Sequence, residues 1–143
     1  MNVTFMERRI SLSNDVQEVP KLAAFVDEVC ESLELDPMLS MQLNLALEEA
    51  VVNVIDYAYP AGTKGDVTVE VKTTEDSLVF VVIDSGIAFD PTAKAEVDTT
   101  LSAEERKIGG LGIHLVRHIM DDVKYERSDG RNILTLCKKL ADA

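Results

Sequence analysis

Two polar residues four positions apart, Glu49 and Asn53, are the first candidates for chemistry in this sequence. Apolar residues recurring at helical spacing predict a helix over residues 38–59, which Pro60 ends. Residues i and i+4 lie on one face of a helix, where Glu49 can serve as a base and the Asn53 side-chain oxygen can bind a hard cation such as Mg²⁺. The alternative is an ordinary solvated helix face.

A second candidate is the sequence Asp84-Ser85-Gly86, which follows the apolar run 78–83. Such a run is typical of a central strand buried on both faces. A carboxylate at the end of that strand can accept a hydrogen bond from an exocyclic amine, and Gly86 would let a flat ring approach the backbone. The alternative is a plain turn, because aspartate, serine and glycine are all common in turns.

A third candidate is the glycine cluster Gly109, Gly110 and Gly112, which directly precedes a predicted helix. Exposed backbone N–H groups at a helix N-terminus can bind an anion. The cluster matches neither the P-loop pattern nor the dinucleotide-binding fingerprint. By itself it is equally compatible with a flexible loop.

Histidines and cysteines offer weaker candidates. His114 and His118 lie one helical turn apart, but an exposed helix face explains them better than a metal site. Cys30 and Cys137 fall within apolar helix and strand patterns, which indicates reduced thiols in the core.

The remaining pattern predicts the elements that must position these residues. A strand is expected over residues 2–10, then a helix, the helix 38–59, and a strand from Asp66 that forms a hairpin with 78–83. The aperiodic stretch 87–108 reads as a functional loop, and we expect it to be a lid. After the helix that follows the glycines, strands 123–127 and 132–138 turn at Asp129-Gly130.

Composition and charge exclude several classes. The 143 residues fit one domain, which we expect to span 1–143, and 46% hydrophobic residues predict a sizeable core. A net charge of −12 without a basic patch argues against direct nucleic-acid binding. No apolar run approaches the roughly 20 residues of a membrane span. We therefore expect a soluble cytoplasmic protein that binds no membrane.

In chain order, the Glu49–Asn53 helix, the strand ending in Asp84-Ser85-Gly86, the long loop and the glycine cluster resemble the GHKL ATPase superfamily. The sequence is most similar to its small serine kinase anti-sigma factors, over roughly residues 5–140. The resemblance implies an α/β two-layer sandwich, the Bergerat-type ATP-binding fold. In that fold a mixed, largely antiparallel sheet is covered on one face by three helices.

The resemblance also implies a role for each candidate residue. Glu49 would be the general base that activates a substrate hydroxyl, and Asn53 would bind the Mg²⁺ that bridges the ATP phosphates. Asp84 would accept from the adenine amine and Gly86 would make room for the ring. Three glycines would wrap the phosphates as the lid closes: Gly109, Gly110 and Gly112. One departure is Ala88, which stands where the family usually has the last glycine of its first glycine box.

The function implied is that of an anti-sigma factor with ATP-dependent serine/threonine kinase activity. Its substrate would be an anti-anti-sigma protein of the STAS type, its second partner a sigma factor, and its assembly a homodimer. The alternative is a nucleotide-gated binding switch that transfers no phosphate. An ATP-binding domain of a two-component kinase is disfavoured, because no helix bearing a phosphoacceptor histidine precedes the domain in this sequence. A purely structural domain would require all the motifs to agree by accident.

Overall fold

The computed structural model describes residues 6–92 and 113–140. Its five strands are β1 (Glu7–Ser13), β2 (Asp66–Thr73), β3 (Ser77–Asp84), β4 (Asp122–Ser128) and β5 (Arg131–Lys139). They form one sheet in the order β1-β2-β3-β5-β4, and all four pairings are antiparallel. The predicted sheet was mixed and largely antiparallel; the described sheet is antiparallel throughout.

Helices lie between β1 and β2 and ahead of β4. Asp15 caps a short 3₁₀ turn, Val16–Glu18, which leads into α1 (Val19–Ser32). Asp36 caps α2 (Pro37–Asn53), which continues as a π-helical turn, Val54–Ala58. Residues 113–119 form the third helix, α3. The long predicted helix is therefore present, but its last turn is wider than an α-helical turn.

The core lies between the helices and one face of the sheet. Alternate strand residues point toward the helices, so that Leu78, Phe80 and Val82 of β3 are buried. Val79, Val81 and Ile83 point the other way and are half-buried. The prediction that β3 is buried on both faces was therefore wrong, because the face that points away from the helices is only half-buried. The helices contribute a matching set of buried residues: Leu22, Val26, Val29, Leu43, Leu47, Val51 and Val116.

Strand boundaries agree with the sequence pattern to within a few residues. Asp129 and Gly130, which link β4 and β5, both adopt positive φ, as a tight hairpin turn requires. The first predicted strand, 2–10, overlaps β1 from residue 7 onward, and residues 1–5 lie outside the described part. Within the described residues, no helix is long and apolar enough to cross a membrane.

Candidate functional site

Asp84 is the last residue of β3 and points into the helix-covered face of the sheet, where only 2% of it is exposed. Directly opposite on β5 stands Asn132, which is 3% exposed. Its side-chain amide donates to Asp84 Oδ1 at 2.8 Å, and the Gly86 N–H donates to the same oxygen at 2.9 Å. Both hydrogen bonds that Asp84 receives from the described residues thus end on Oδ1, which leaves Oδ2 for a further donor.

Burial raises the pKa of the Asp84 carboxyl, because desolvation disfavours its charged form. The hydrogen bonds from Asn132 and Gly86 and the positive charge of Arg127 act in the opposite direction. Desolvation is the largest of these effects. Asp84 is therefore desolvated, whereas an aspartate in an ordinary surface turn is hydrated.

Asn132 holds the loop after β3 as well as the carboxylate. Its Nδ2 also donates to the Ile87 carbonyl at 2.8 Å, and its Oδ1 accepts from the Phe89 N–H at 3.1 Å. The same Oδ1 accepts from the Tyr125 hydroxyl and from Arg127 Nη1. The buried Asn132 amide thereby holds Ile87 and Phe89, the residues on either side of Ala88.

This arrangement explains why alanine is accepted at position 88. Among the described non-glycine residues, only Glu34 and Asp129 have positive φ, so the backbone at Ala88 tolerates a Cβ. Ala88 is exposed, between two residues that Asn132 fixes. The loss of the family's last glycine therefore creates no backbone conflict in this loop.

Gly86 lies against the end of the π-helical turn. A Cβ placed on Gly86 would come within 2.2 Å of the Ala58 carbonyl oxygen, so no side chain fits there without a shift of backbone. The Ile87 N–H donates to that same oxygen at 2.8 Å. Close packing is thus a reason for glycine that the sequence pattern did not suggest, while room for an adenine ring remains a prediction.

Tyr59 adds a second tie between the helix end and the loop. Its buried hydroxyl accepts from the Ser85 N–H at 2.9 Å and donates to the Asp66 carbonyl at 2.7 Å. Burial raises the pKa of this hydroxyl, so it stays protonated at neutral pH. Two residues earlier, the Tyr57 ring stacks on Phe89 with ring centroids 5.4 Å apart.

Glu49 and Asn53 lie on the last turns of α2, immediately before the π-helical turn, and both are half-buried. Neither side chain makes a hydrogen bond or ion pair with another residue of the described ranges 6–92 and 113–140. Tyr57 follows Asn53 by four residues and contacts the loop after β3. The turn that follows Asn53 is thus joined to the loop after β3 through the Tyr57 ring.

The arrangement fits a nucleotide with a divalent cation. A cavity of about 560 Å³ lies beside the loop after β3 and borders Ser85, Gly86, Ile87 and Arg127, but its lining includes none of Asp84, Glu49 and Asn53. Asp84 Oδ2, which accepts no hydrogen bond from the described residues, suits an amine donor. The Asn53 amide oxygen suits Mg²⁺. No cluster of three or more His, Cys, Asp or Glu able to hold a metal occurs within residues 6–92 and 113–140. Among the residues of the site, the Asn53 amide oxygen could bind a cation that a nucleotide brings with it.

The glycine cluster Gly109, Gly110 and Gly112 lies outside the described residues, as does the lid candidate 87–108 beyond its first six residues. The described end of that stretch is tied down, because Arg117 Nη2 of α3 donates to the Thr92 carbonyl at 3.1 Å. These glycines and the lid remain predictions.

His114 and His118 are both exposed on α3. The aspartates that follow them make other contacts: Asp121 accepts from the Lys139 N–H at 2.6 Å, and Asp122 pairs with Lys124. Cys30 is buried and unpaired, as predicted, and burial raises the pKa of its thiol. Cys137 is only half-buried, because it points to the face of the sheet away from the helices.

Strand β5 carries two polar residues that could neighbour Asp84, Asn132 and Thr135. Strand register decides, since Asn132 pairs with Asp84 whereas Thr135 pairs with Val81 on the opposite face. Tyr125, Arg127 and Tyr59 were missed entirely. No local pattern marks them, because each reaches the site from a distant part of the chain.

Residues 12–138 match the model of the histidine kinase-like ATPase domain family. The chain belongs to this family. The predicted sandwich is confirmed by the crystal structure of the RsbU and RsbW domains of a Mycobacterium tuberculosis protein, which superposes with a TM-score of 0.69. That similarity covers 96% of this chain and 33% of the other at 15% sequence identity, and so bears on the fold alone.

Curated relatives lie within the same family. The serine-protein kinase RsbW of Listeria monocytogenes is 38% identical over 96 residues, which are 64% of this chain and 61% of the relative. The serine/threonine-protein kinase BtrW of Bordetella bronchiseptica is 32% identical over 98 residues, which are 68% of this chain and 69% of the relative. The match therefore spans about three fifths of the first relative's length and somewhat more of the second.

Proposed function

We propose that this chain is an ATP-dependent protein serine/threonine kinase that acts as an anti-sigma factor. Its substrate is a STAS-type anti-anti-sigma protein, the partner it sequesters is a sigma factor, and it works as a homodimer in the cytoplasm. The observation that carries the proposal is Asp84, a carboxylate that is buried and fixed at the end of β3 and whose Oδ2 accepts no hydrogen bond from the described residues. The names of the curated relatives point to the same activity.

Each site residue has one task in this proposal. Asp84 Oδ2 accepts from the adenine amine, and Gly86 lies beside the ring. Asn53 contributes its amide oxygen to Mg²⁺, and the three glycines at 109, 110 and 112 donate backbone N–H groups to the phosphates. When bound, Mg-ATP would supply the phosphoryl group. Its Mg²⁺ would neutralise the charge that develops on that group during transfer.

Glu49 is assigned the proton transfer. Its carboxylate accepts the proton of the substrate serine or threonine hydroxyl as that oxygen bonds to phosphorus and the bond to the leaving ADP oxygen breaks. The half-buried position on α2 leaves this carboxylate unpaired within the described residues and open on one side. Helix α2 holds Glu49 four residues ahead of Asn53, so that base and cation ligand share one face.

Phosphoryl transfer to purified STAS proteins from the same organism, followed with radiolabelled Mg-ATP, tests the proposal. We expect Glu49→Gln to lower the transfer rate by about 10²–10⁴-fold, the usual contribution of a positioned base, while calorimetry shows unchanged ATP binding. Glu75→Gln is the matched control, because Glu75 is an exposed carboxylate in the turn between β2 and β3. We expect it to behave like wild type.

Two results would contradict the kinase assignment. In the first, Glu49→Gln transfers phosphate as fast as wild type. In the second, no STAS protein is phosphorylated although partner affinity differs between ATP and ADP. That second result describes the nucleotide-gated switch, which uses the same Asp84 site without phosphoryl transfer.

A further inference from the structure

Helix α2 exposes a row of large apolar side chains on the side opposite to the core. Met38 and Met41 are each 57% exposed and Leu45 is 39% exposed. Their spacing of three and four residues places them along one side of the helix. Methionine adapts its shape to different partners, and exposed methionines are common at protein-binding surfaces. Such a row is unusual on a surface that only meets water.

A groove between α1 and α2 runs beside this row. It has a volume of about 370 Å³ and is lined by Val19, Leu22, Ala23, Asp27, Met41, Asn44 and Glu48. The Asn44 side chain bridges the two helices by donating to Asp27 Oδ1 at 2.8 Å. This hydrogen bond joins the two helices at the groove. We call the row and the groove together the α1–α2 surface.

Residues 19–56, which contain α1 and α2, are strongly negative. Residues 19–56 contain a single Lys or Arg, Lys21, which pairs with Glu18 at 2.7 Å. The same stretch holds eight carboxylates: Asp27, Glu28, Glu31, Glu34, Asp36, Glu48, Glu49 and Asp56. Of these only Glu28 forms a salt bridge within the described residues, with Arg8. Residues 19–56, which include the link between the helices and the π-helical turn, thus carry more than half of the chain's net charge of −12, and five of the eight carboxylates lie in α1 and α2 themselves.

We propose that the α1–α2 surface docks a basic amphipathic helix of a protein partner. Apolar residues of that helix would cover Met38, Met41 and Leu45, and its Lys or Arg side chains would meet Asp27 and Glu48 at the groove. A second copy of this chain is a poor occupant, because two surfaces of the same strong negative charge repel each other. This inference goes beyond the proposed function, since it requires neither nucleotide nor phosphoryl transfer.

Binding of a synthetic probe to the whole chain tests the surface. The probe is a fluorescein-labelled helical peptide with leucines on one face and lysines on the other, followed by fluorescence anisotropy. One control peptide carries glutamate in place of each lysine, and another has the same composition in scrambled order. We expect saturable binding of the first peptide alone, weakening as salt is raised.

Variants then locate the bound peptide. We expect Glu48→Lys, and separately Met41→Gln with Leu45→Gln, each to weaken binding by about tenfold or more, because few interface residues carry most of the affinity. Matched controls are Glu126→Lys on β4 and Val16→Gln in the 3₁₀ turn, which alter an exposed carboxylate and an exposed apolar residue elsewhere. Both should bind the peptide like wild type.

The proposal is overturned by any of three results. The glutamate or scrambled peptide binds as tightly as the basic amphipathic one. The Glu48 and Met41/Leu45 variants bind like the controls. Sedimentation shows that Met41→Gln with Leu45→Gln dissociates a dimer of this chain, which would make the surface a contact between copies. Because no nucleotide is present, these outcomes are independent of the kinase test.

Discussion

Asn132 donates a hydrogen bond of 2.8 Å to Asp84 from the directly opposite position on the neighbouring strand. The pair is 48 residues apart in sequence, yet both side chains are almost wholly buried. Asn132 thereby fixes which oxygen of the carboxylate stays available. The geometry of the site depends on this amide as much as on the aspartate itself.

Replacing Asp84 by asparagine should weaken nucleotide binding. Asparagine can still accept from Asn132 and Gly86 through its oxygen, but its NH₂ group now faces the adenine amine and opposes it. We expect a loss of about tenfold or more in affinity for Mg-ATP and Mg-ADP by calorimetry, the scale of a lost hydrogen bond to a charged group. Asp129→Asn in the exposed β4–β5 turn is the control, and equal binding by both variants would contradict the assignment.

The raised pKa of Asp84 makes a prediction about stability and pH. Its native pKa lies above the value of about 3.9 in an unfolded chain, so the native state holds this proton to higher pH. The contribution of Asp84 to the free energy of unfolding is therefore largest below that value. It falls as the pH rises through the native pKa and is constant above it.

Urea unfolding of wild type and Asp84→Asn at a series of pH values isolates this contribution. We expect wild-type stability minus variant stability to decrease as the pH rises from about 4, because only the wild type ionises a buried carboxyl. The other carboxylates titrate in both proteins and cancel. A difference that grows with pH would show instead that the hydrogen bonds and the Arg127 charge, and not desolvation, determine the pKa of Asp84.

Truncation of Asn132 should be costly, whereas truncation of Thr135 should not. Asn132→Ala leaves Asp84 buried with one donor fewer and removes the acceptor of the Phe89 N–H, for which we expect a loss of about 1–3 kcal/mol in the free energy of unfolding. Thr135→Ala, on the half-buried opposite face of the same strand, should change it by less than about 1 kcal/mol. Equal losses in the two variants would argue against the network.

A methyl group at Gly86 should destabilise the protein even without nucleotide. Its Cβ would meet the Ala58 carbonyl oxygen, so backbone must move, and overpacking of this kind usually costs about 1–3 kcal/mol. Ala88→Gly in the same loop is the comparison, with an expected loss below about 1 kcal/mol from added chain entropy. Thermal unfolding of both apo variants measures the difference. Wild-type stability in Gly86→Ala would mean that the contact relaxes freely.

Much of the fold could be predicted because apolar periodicity is a local signal. Alternating valines marked β2, the helical stripe marked α2, and Asp129-Gly130 marked the last hairpin. Asp84 could be singled out because it ends an apolar strand abruptly. All of these features are visible within a window of about ten residues.

What could not be predicted depends on contacts between distant segments. A one-residue slip in register would have placed Thr135, and not Asn132, on the face of Asp84. The π-helical turn at Val54–Ala58 leaves no mark in the apolar pattern, and it brings Ala58 against Gly86. The sequence therefore indicated which residues matter at the end of β3 but not what holds them.

The contact of Gly86 with Ala58 has a mechanical consequence. With the hydrogen bonds from Ile87 to Ala58 and from Ser85 to Tyr59, it clamps the loop after β3 to the end of the helix that carries Glu49 and Asn53. Because these contacts join the two segments, we expect a displacement at Asp84 to move the end of the helix as well. We therefore expect a ligand bound at Asp84 to slow amide exchange in Val54–Ala58, and unchanged exchange on ligand binding would contradict this coupling.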